Sequence, residues 1–181
     1  MTAVCGIVDG NGKIFIGADT CGSNYYSYTV ENYKVFTVND KFIIGVCGVF
    51  RIIDLLKYKL DVPLQDTLKG DDDKFMRTAF IDSVMDLFDR NGINKVIDGI
   101  CTGGNFLVGY NGNLYEILDD YSVLNCPKWG HAIGSGESAA RGSLFTTKNN
   151  KNSEERIKLA LESAEAVVPS VRSPFTILSL W

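Results

Sequence analysis

The chain has 181 residues, 45% of them hydrophobic, and its 18 Lys and Arg residues against 22 Asp and Glu residues give a net charge of −4. This length and apolar content suit one domain over residues 1–181 with a sizeable core. The mild acidity and the lack of a basic run with interleaved aromatics argue against nucleic acid as a partner.

The distribution of apolar residues and cysteines indicates a cytoplasmic protein. No apolar stretch approaches the roughly 20 residues needed to cross a bilayer, and no signal peptide precedes the first predicted strand. We therefore expect no membrane association. The cysteines are odd in number and lack CxxC spacing, which favours reduced thiols, and Cys5, Cys47 and Cys101 lie in apolar runs where they would pack as small hydrophobes. The full set is Cys5, Cys21, Cys47, Cys101 and Cys126.

Two β-hairpins are predicted at the N-terminal end. Apolar runs over residues 3–9 and 13–17 flank Gly10-Asn11-Gly12, a turn signal because asparagine and glycine accept positive φ. A second hairpin pairs residues 34–38 with 41–47. The chain therefore opens as a β structure.

Helical periodicity begins after Gly48. Apolar residues recur at intervals of three and four over residues 52–60, and again over 75–88, which predicts two helices with one apolar face each. The triplet Asp71-Asp72-Asp73 precedes the second helix. It lacks the ligand spacing of a calcium loop, so we interpret it as a solvated loop and helix start.

A second group of strands follows these helices. Residues 96–101, 105–110 and 113–118 predict strands, with Gly103-Gly104 and Asn111-Gly112 as the turns. This pattern is typical of a β-meander.

The last third predicts two helices and a closing strand. One helix covers residues 137–145, and the other follows Asn152, which with Glu155 fits a capping box. The closing strand covers residues 175–180. This order of elements predicts an α+β fold in which two packed sheets are covered by helices on both sides.

Thr2 is the candidate nucleophile. A methionine followed by a residue as small as threonine is a usual target for methionine removal, which would leave a hydroxyl and a free α-amine on one residue. That pair is a complete nucleophile and base. The alternative is a threonine of the first strand whose hydroxyl only bonds backbone.

Several short motifs together resemble the proteasome β-subunits, and most closely the bacterial HslV-type peptidases. Thr2, Gly17-Ala18-Asp19, Lys34, Gly45 and Gly134-Ser135-Gly136 occur in the order and rough spacing of that family. The resemblance covers nearly the whole chain. It implies the four-layer αββα sandwich of the N-terminal-nucleophile hydrolases, with two antiparallel sheets, and a threonine peptidase that assembles into stacked rings.

The resemblance also implies a role for each matching residue. Lys34 would lower the proton affinity of the Thr2 amine and hydroxyl through its charge, and Asp19 would pair with Lys34. Ser135 would hydrogen-bond the terminal amine, and it would equally suit the N-cap of the next helix. Gly45 would present its backbone N–H to the oxyanion, with a glycine that lets two sheets pack as the alternative.

One loop departs from the family pattern. Proteasome β-subunits usually carry an aspartate and a serine before the last strand, whereas residues 168–174 contain no carboxylate. Ser170 or Ser173 would supply the hydroxyl as accessory residues. The missing acid supports an alternative function, a catalytically inactive structural subunit of a proteasome-like ring.

Two other nucleophile systems are weaker. Cys5 followed by Gly6 is similar to the start of N-terminal-cysteine amidohydrolases, but it requires removal of four preceding residues. A Ser-His-Asp triad would need His131, the single histidine, and the chain has no G-x-S-x-G elbow. We interpret His131 as a buried histidine bonded to backbone.

The sequence thus predicts a threonine-type peptidase subunit of a homo-oligomeric, self-compartmentalising ring that hydrolyses unfolded polypeptide. The resemblance implies that an unfoldase ATPase is a partner. We expect no cofactor, and no metal because a lone histidine and scattered thiols do not form a zinc site.

Overall fold

A computed structural model describes residues 2–23, 27–29, 34–63, 65 and 70–181. Met1, whose removal the sequence predicts, lies outside these residues. The described elements are, in chain order, β1 (Val4–Val8), β2 (Ile14–Asp19), β3 (Cys21–Ser23), β4 (Ser27–Thr29), β5 (Val35–Val38), β6 (Phe42–Val46), α1 (Phe50–Lys59), α2 (Asp72–Phe75), a π-helical segment (Met76–Phe80), α3 (Ile81–Arg90), β7 (Lys95–Ile97), β8 (Ile100–Thr102), β9 (Phe106–Tyr110), β10 (Asn113–Ile117), β11 (Val123–Asn125), β12 (His131–Ile133), α4 (Glu137–Thr146), α5 (Ser153–Val167) and β13 (Phe175–Leu180).

Two antiparallel sheets form the centre of the fold. One has the strand order β12-β1-β2-β13, and the other has the order β11-β10-β9-β6-β5. The strand β13 lies along β2, with Phe175 opposite Asp19 and Leu180 opposite Ile14. The first sheet is therefore assembled from both ends of the chain.

Three apolar clusters separate four layers. The cluster between the sheets includes Val4, Ile16, Ile43 and Leu114. A second cluster packs α1 and the helical stretch from α2 to α3 on the five-stranded sheet, and a third packs α4 and α5 on the four-stranded sheet. The predicted αββα sandwich with two antiparallel sheets is confirmed. That residues 1–181 form one domain stays a prediction.

The helix α5 lies unusually close to β2 at Gly17. A Cβ atom at Gly17 would come within 2.4 Å of Ile157 Cγ2. Real Cβ atoms do not approach other atoms this closely, so only glycine allows this contact. The close approach fixes the position of α5 relative to the strand that carries Asp19.

The predicted meander is wrong in its first strand. Residues 95–102 form a separate hairpin, β7–β8, because Asp98 and Gly99 adopt positive φ angles of 51° and 80° and turn the chain back. Asp-Gly is a strong two-residue turn signal, and it overrides the expected turn at Gly103-Gly104. The observed meander is β9-β10-β11.

The starts of α2 and α5 agree with their predicted caps, whereas the alternative that Ser135 caps the next helix is wrong, because the N-cap of α4 is Gly136 and no side chain caps it. The Asp71 side chain accepts a hydrogen bond from Lys74 N at 3.1 Å, so the aspartate triplet is a helix start. The Asn152 side chain accepts from Glu155 N at 3.1 Å. The Glu155 carboxylate accepts from Asn150 Nδ2 at 3.2 Å rather than closing the capping box.

Candidate active site

Thr2 lies directly before β1, where the turn that precedes α4 holds its backbone. Thr2 N donates to Ser135 Oγ at 3.1 Å, and Thr2 O accepts from Ser135 Oγ and Gly136 N, both at 3.3 Å. Thr2 is 4% exposed. Its nitrogen and carbonyl oxygen are therefore both fixed by one turn.

The glycine before Ser135 explains how this turn approaches so closely. Gly134 has a φ of 89°, and a Cβ atom there would lie 2.4 Å from Thr2 O and 3.5 Å from Cys47 Cβ. Only glycine adopts this conformation without strain and leaves this space. Gly134 thus brings Thr2 and the end of β6 to the same corner of the molecule.

Asp19 and Lys34 form a buried ion pair next to Thr2. Lys34 Nζ donates to Asp19 Oδ1 at 2.8 Å and to Cys21 O at 2.7 Å. Asp19 Oδ1 also accepts from Ala3 N at 3.0 Å, and Oδ2 accepts from Cys21 N at 2.9 Å. The two side chains are 0% and 3% exposed, respectively. Because Ala3 follows Thr2, this pair adjoins the candidate nucleophile.

Gly45 does not fit the oxyanion role. It pairs with Val35 on one side and Leu107 on the other, inside the five-stranded sheet. Val46 N donates to Lys34 O at 2.9 Å across β5, and N–H directions alternate along a strand, so the Gly45 N–H points to β9. A Cβ atom at Gly45 would lie 2.6 Å from Val4 Cγ1, which supports the alternative that Gly45 lets the sheets pack.

Gly48 is the strand-end glycine at this corner. It lies after β6 and before α1, is exposed, and has a φ of 99°. It follows Cys47, the residue that Gly134 brings next to Thr2. Gly48 is not among the residues predicted from the sequence, although a glycine between a strand and a helix is the signal that identifies such a position.

The two accessory serines differ. Ser173 is exposed, and its N and Oγ donate to Glu165 Oε1 at 2.8 and 3.1 Å. A carboxylate of α5 thus binds the loop that has none of its own. Ser170 is 7% exposed, and within the described residues its buried hydroxyl has no hydrogen-bond partner. The neighbouring Val171 packs near Gly136, in the turn that holds Thr2.

The prediction for His131 is wrong in its partner. His131 Nε2 lies 2.7 Å from Glu116 Oε2, rather than on a backbone group. Glu116 Oε1 accepts from Asn105 Nδ2 at 3.0 Å, and the Cys47 thiol donates to Asn105 O at 3.4 Å. Because β12 was not predicted as a strand, the sequence could not place His131 opposite Glu116 across the sandwich.

This network holds one carboxylate in its charged form. Burial raises the pKa of the Glu116 carboxyl, but hydrogen bonds from His131 and Asn105 and the nearby positive charges of His131 and Arg141 outweigh that effect, so the pKa lies below its ordinary value. Burial raises the pKa of the Cys47 thiol to about 11. Cys47 is therefore a neutral thiol at physiological pH.

The cysteine alternative has little support in the geometry. Cys5 is 0% exposed and belongs to the cluster beneath α5. Its thiol lies 3.9 Å from Ile157 O, and burial raises its pKa. Such a thiol faces the interior rather than a substrate.

Neither a metal-binding cluster nor a membrane-spanning helix occurs among the described residues. No group of three or more His, Cys, Asp and Glu side chains there is arranged to hold a metal ion. No helix among those residues combines the length and apolarity that a membrane span requires.

The four layers define the fold of the proteasome-type N-terminal-nucleophile hydrolases. No family model matches the sequence, and no curated protein matches it by sequence. In contrast, 488 chains of solved structures match the structure of this chain, and these matches support the fold.

Three of these structures illustrate the likeness. BPH from Thiobacillus denitrificans, in complex with epoxomicin, has a TM-score of 0.77 and 18% identity over 99% of this chain and 98% of its own. HslV from Trypanosoma brucei has a TM-score of 0.71 and 16% identity over 99% of each chain. Anbu, an ancestral beta-subunit from Yersinia bercovieri, has a TM-score of 0.66 and 12% identity over 98% of this chain and 81% of its own. The predicted family resemblance is confirmed at the level of the fold.

Proposed function

We propose that this protein is a threonine-type peptidase subunit of a homo-oligomeric ring, and that removal of Met1 exposes Thr2 as the nucleophile. The observation that carries the proposal is the arrangement around Thr2. Thr2 N donates a hydrogen bond to Ser135 Oγ. The buried ion pair of Asp19 and Lys34 is next to Thr2. A buried cation held in one position beside a nucleophile supplies a fixed electrostatic effect there.

The chemistry follows from these positions. Thr2 Oγ attacks the scissile carbonyl, and the freed Thr2 amine takes the hydroxyl proton and passes it to the leaving amine. The result is an ester on Thr2, which water hydrolyses by the same proton transfers to restore the hydroxyl. The charge of Lys34 favours the neutral amine, and Ser135 orients it. Asp19 acts through Lys34 as a positioning residue.

We place the oxyanion donor at Gly48 N in place of Gly45. The Gly48 N–H lies beyond the strand ladder, at the corner that Gly134 shares with Thr2. An N–H outside the ladder at this corner is suited to a developing oxyanion. The buried hydroxyl of Ser170 supports an accessory role in orienting the amine.

The proposal of a ring is supported by the fold and by an apolar surface on the hairpin β7–β8, and the proposed substrate is supported by the fold. The hairpin β7–β8 exposes Val96, Ile97 and Ile100 at 73%, 56% and 54%, and such apolar patches are typical of contacts between proteins. A neighbouring subunit would cover them. The substrate would be unfolded polypeptide, supplied by an unfoldase ATPase in the cytoplasm.

The second candidate function is a structural ring subunit without activity. The observation in its favour is the loop over residues 168–174, which has no carboxylate and holds Ser173 on Glu165 instead. In that case, Asp19 and Lys34 would serve stability alone.

Intact mass spectrometry tests the proposal. Untagged protein would be measured before and after incubation with epoxomicin, an epoxyketone that reacts with the hydroxyl and amine of one terminal residue. We expect loss of Met1 and an adduct on Thr2. The Thr2→Ala variant should form no adduct and lose peptide hydrolysis, whereas Thr37→Ala, at an exposed strand position, should behave as the parent. Retained Met1 without an adduct would favour the structural subunit, and hydrolysis by Thr2→Ala would exclude Thr2 as the nucleophile.

A further inference from the structure

A pocket separate from the Thr2 corner lies at the start of α5. It is on the helix-covered face of the four-stranded sheet, away from the five-stranded sheet. It has a volume of about 540 Å³, within the range of small-molecule sites. Its walls come from the β1–β2 turn, the segment before β12 and the α4–α5 connection. Four of its lining residues are basic: Lys128, Lys148, Lys151 and Arg156. The chain as a whole is acidic, so this concentration of positive charge is local.

Arg156 is the unusual member of this group. It is only 4% exposed. Its recorded hydrogen bonds both come from Nη2, to Trp129 O at 2.5 Å and Leu144 O at 3.1 Å. Within the described residues Nε is buried without a partner, and no carboxylate lies within ion-pair distance. A buried cation without a counter-charge is unfavourable, so an anion bound in this pocket would stabilise Arg156.

The acidic residues near the pocket are engaged elsewhere. Asp9 is the acidic residue of the lining, and its Oδ1 accepts from Asn11 N and Lys13 N at 2.8 and 2.9 Å. The first-turn residues Glu154 and Glu155 line a neighbouring depression with Lys158, and Glu155 Oε2 accepts from Asn150 Nδ2, in the pocket wall, at 3.2 Å. None of these carboxylates neutralises Arg156.

The helix adds its own dipole to this charge. The helix α5 has 15 residues and begins at Ser153, which lines the pocket. The backbone N–H groups of a first helical turn attract anions. The helix start and the buried guanidinium therefore act on the same space.

We propose that this pocket binds the phosphoryl group of a small phosphate-bearing molecule. Several lysines with an arginine favour a multiply charged oxyanion over a single carboxylate, because each added charge on the ligand is attracted by all of them. Arg156 and the start of α5 hold the phosphoryl oxygens, and Lys148 and Lys151 at the rim neutralise further charge. This site is independent of the chemistry proposed for Thr2.

Calorimetric titration with pyrophosphate and with inorganic phosphate, at constant ionic strength in chloride, tests this site. We expect saturable binding of pyrophosphate that is tighter than that of phosphate. The Lys148→Ala/Lys151→Ala variant should weaken pyrophosphate binding by about tenfold or more, and Arg156→Met should abolish it. The matched control is Lys158→Ala on the same helix, whose side chain is 63% exposed outside the pocket, and it should bind as the parent does.

Three outcomes would overturn the proposal. One is the absence of saturable binding by either anion. Another is equal loss of affinity in Lys158→Ala and in the double lysine variant, which would indicate general attraction to surface charge. The third is binding of citrate as tight as that of pyrophosphate, which would assign the pocket to carboxylates.

Discussion

The molecule buries two cations in opposite ways. Lys34 lies against the carboxylate of Asp19, which also accepts two backbone N–H groups. Arg156 is comparably buried, but its recorded partners are two backbone carbonyls. The first charge is neutralised inside the protein, and the second is not.

This difference in counter-charge decides how the Lys34 region and the Arg156 region respond to an added anion. A neutralised buried pair is complete, so it can remain rigid and act on its neighbour Thr2 through a fixed charge. A buried charge with hydrogen bonds but no counter-ion gains stability from any anion that reaches it. The first arrangement suits a catalytic support, and the second suits a binding site.

Removal of Lys34 tests the first half of this comparison and should have the largest effect. Lys34→Met leaves the Asp19 carboxylate buried without a counter-charge, which should lower the free energy of unfolding by about 3–5 kcal/mol. Urea denaturation measures this change. Asp19→Asn and the double variant complete a double-mutant cycle. The summed stability losses of the two single variants should differ from the loss of the double variant by a coupling energy of about 0.5–3 kcal/mol. Additive losses would show that the pair is not coupled.

Gly45→Ala separates packing from catalysis at the same corner. The added Cβ would meet Val4 Cγ1 at 2.6 Å and Ile16 Cγ2 at 2.8 Å, so stability should fall by about 1–3 kcal/mol through overpacking. The control is Gly142→Ala in α4, where a Cβ meets nothing within 4 Å; it should raise stability by about 0.5–1 kcal/mol. Thermal unfolding compares the two. A Gly45→Ala protein as stable as the parent would contradict the packing role.

Arg156→Met tests the second half of the comparison. The variant loses two hydrogen bonds but also removes an uncompensated buried charge, so its free energy of unfolding should lie within about 1 kcal/mol of the parent. The same chemical change at Lys34 should be several times more harmful. Urea denaturation of both variants, in chloride without phosphate, gives the result. An equal loss at the two positions would show that Arg156 already has a counter-charge.

Glu116 should give the smallest effect, visible through pH. Its folded pKa lies below the ordinary value, so its contribution to stability is full above the unfolded pKa of about 4.3 and is lost as pH falls through the folded pKa. The stability difference between the parent and Glu116→Gln should therefore shrink on acidification below that value. Unfolding measured across this range checks the trend. A constant difference would indicate that the charge of Glu116 plays no part.

The fold and the Thr2 corner could largely be predicted from the sequence. The apolar residues at intervals of three and four and the caps at Asp71 and Asn152 are local signals, and they predicted helices. The motifs around Asp19, Lys34 and Ser135 lie in loops or at strand ends, and the resemblance to proteasome β-subunits, rather than a local pattern, implied their roles.

Other parts of the molecule depend on long-range packing that no local pattern records. The short strand β12 has three residues, too few for a periodic signal, so the pairing of His131 with Glu116 was missed. The sequence does not distinguish Gly45 from Gly48, because both are glycines near the end of an apolar run. The structure does, because Gly45 lies inside the sheet and Gly48 lies beyond its end. The burial of Arg156 likewise depends on contacts with Trp129 and Leu144, which are 27 and 12 positions away in the sequence.

The long separations around Thr2 also order events during synthesis. Thr2 and Ser135 are 133 positions apart, and the partner of β2 on one side is β13, which ends at Leu180. These contacts cannot form during synthesis until Ser135 and β13 have themselves been synthesised. A nascent chain therefore displays its threonine without the serine that orients it or the last strand of its sheet. If Thr2 is the nucleophile, the need to synthesise Ser135 and β13 before this corner forms is itself a safeguard against premature proteolysis.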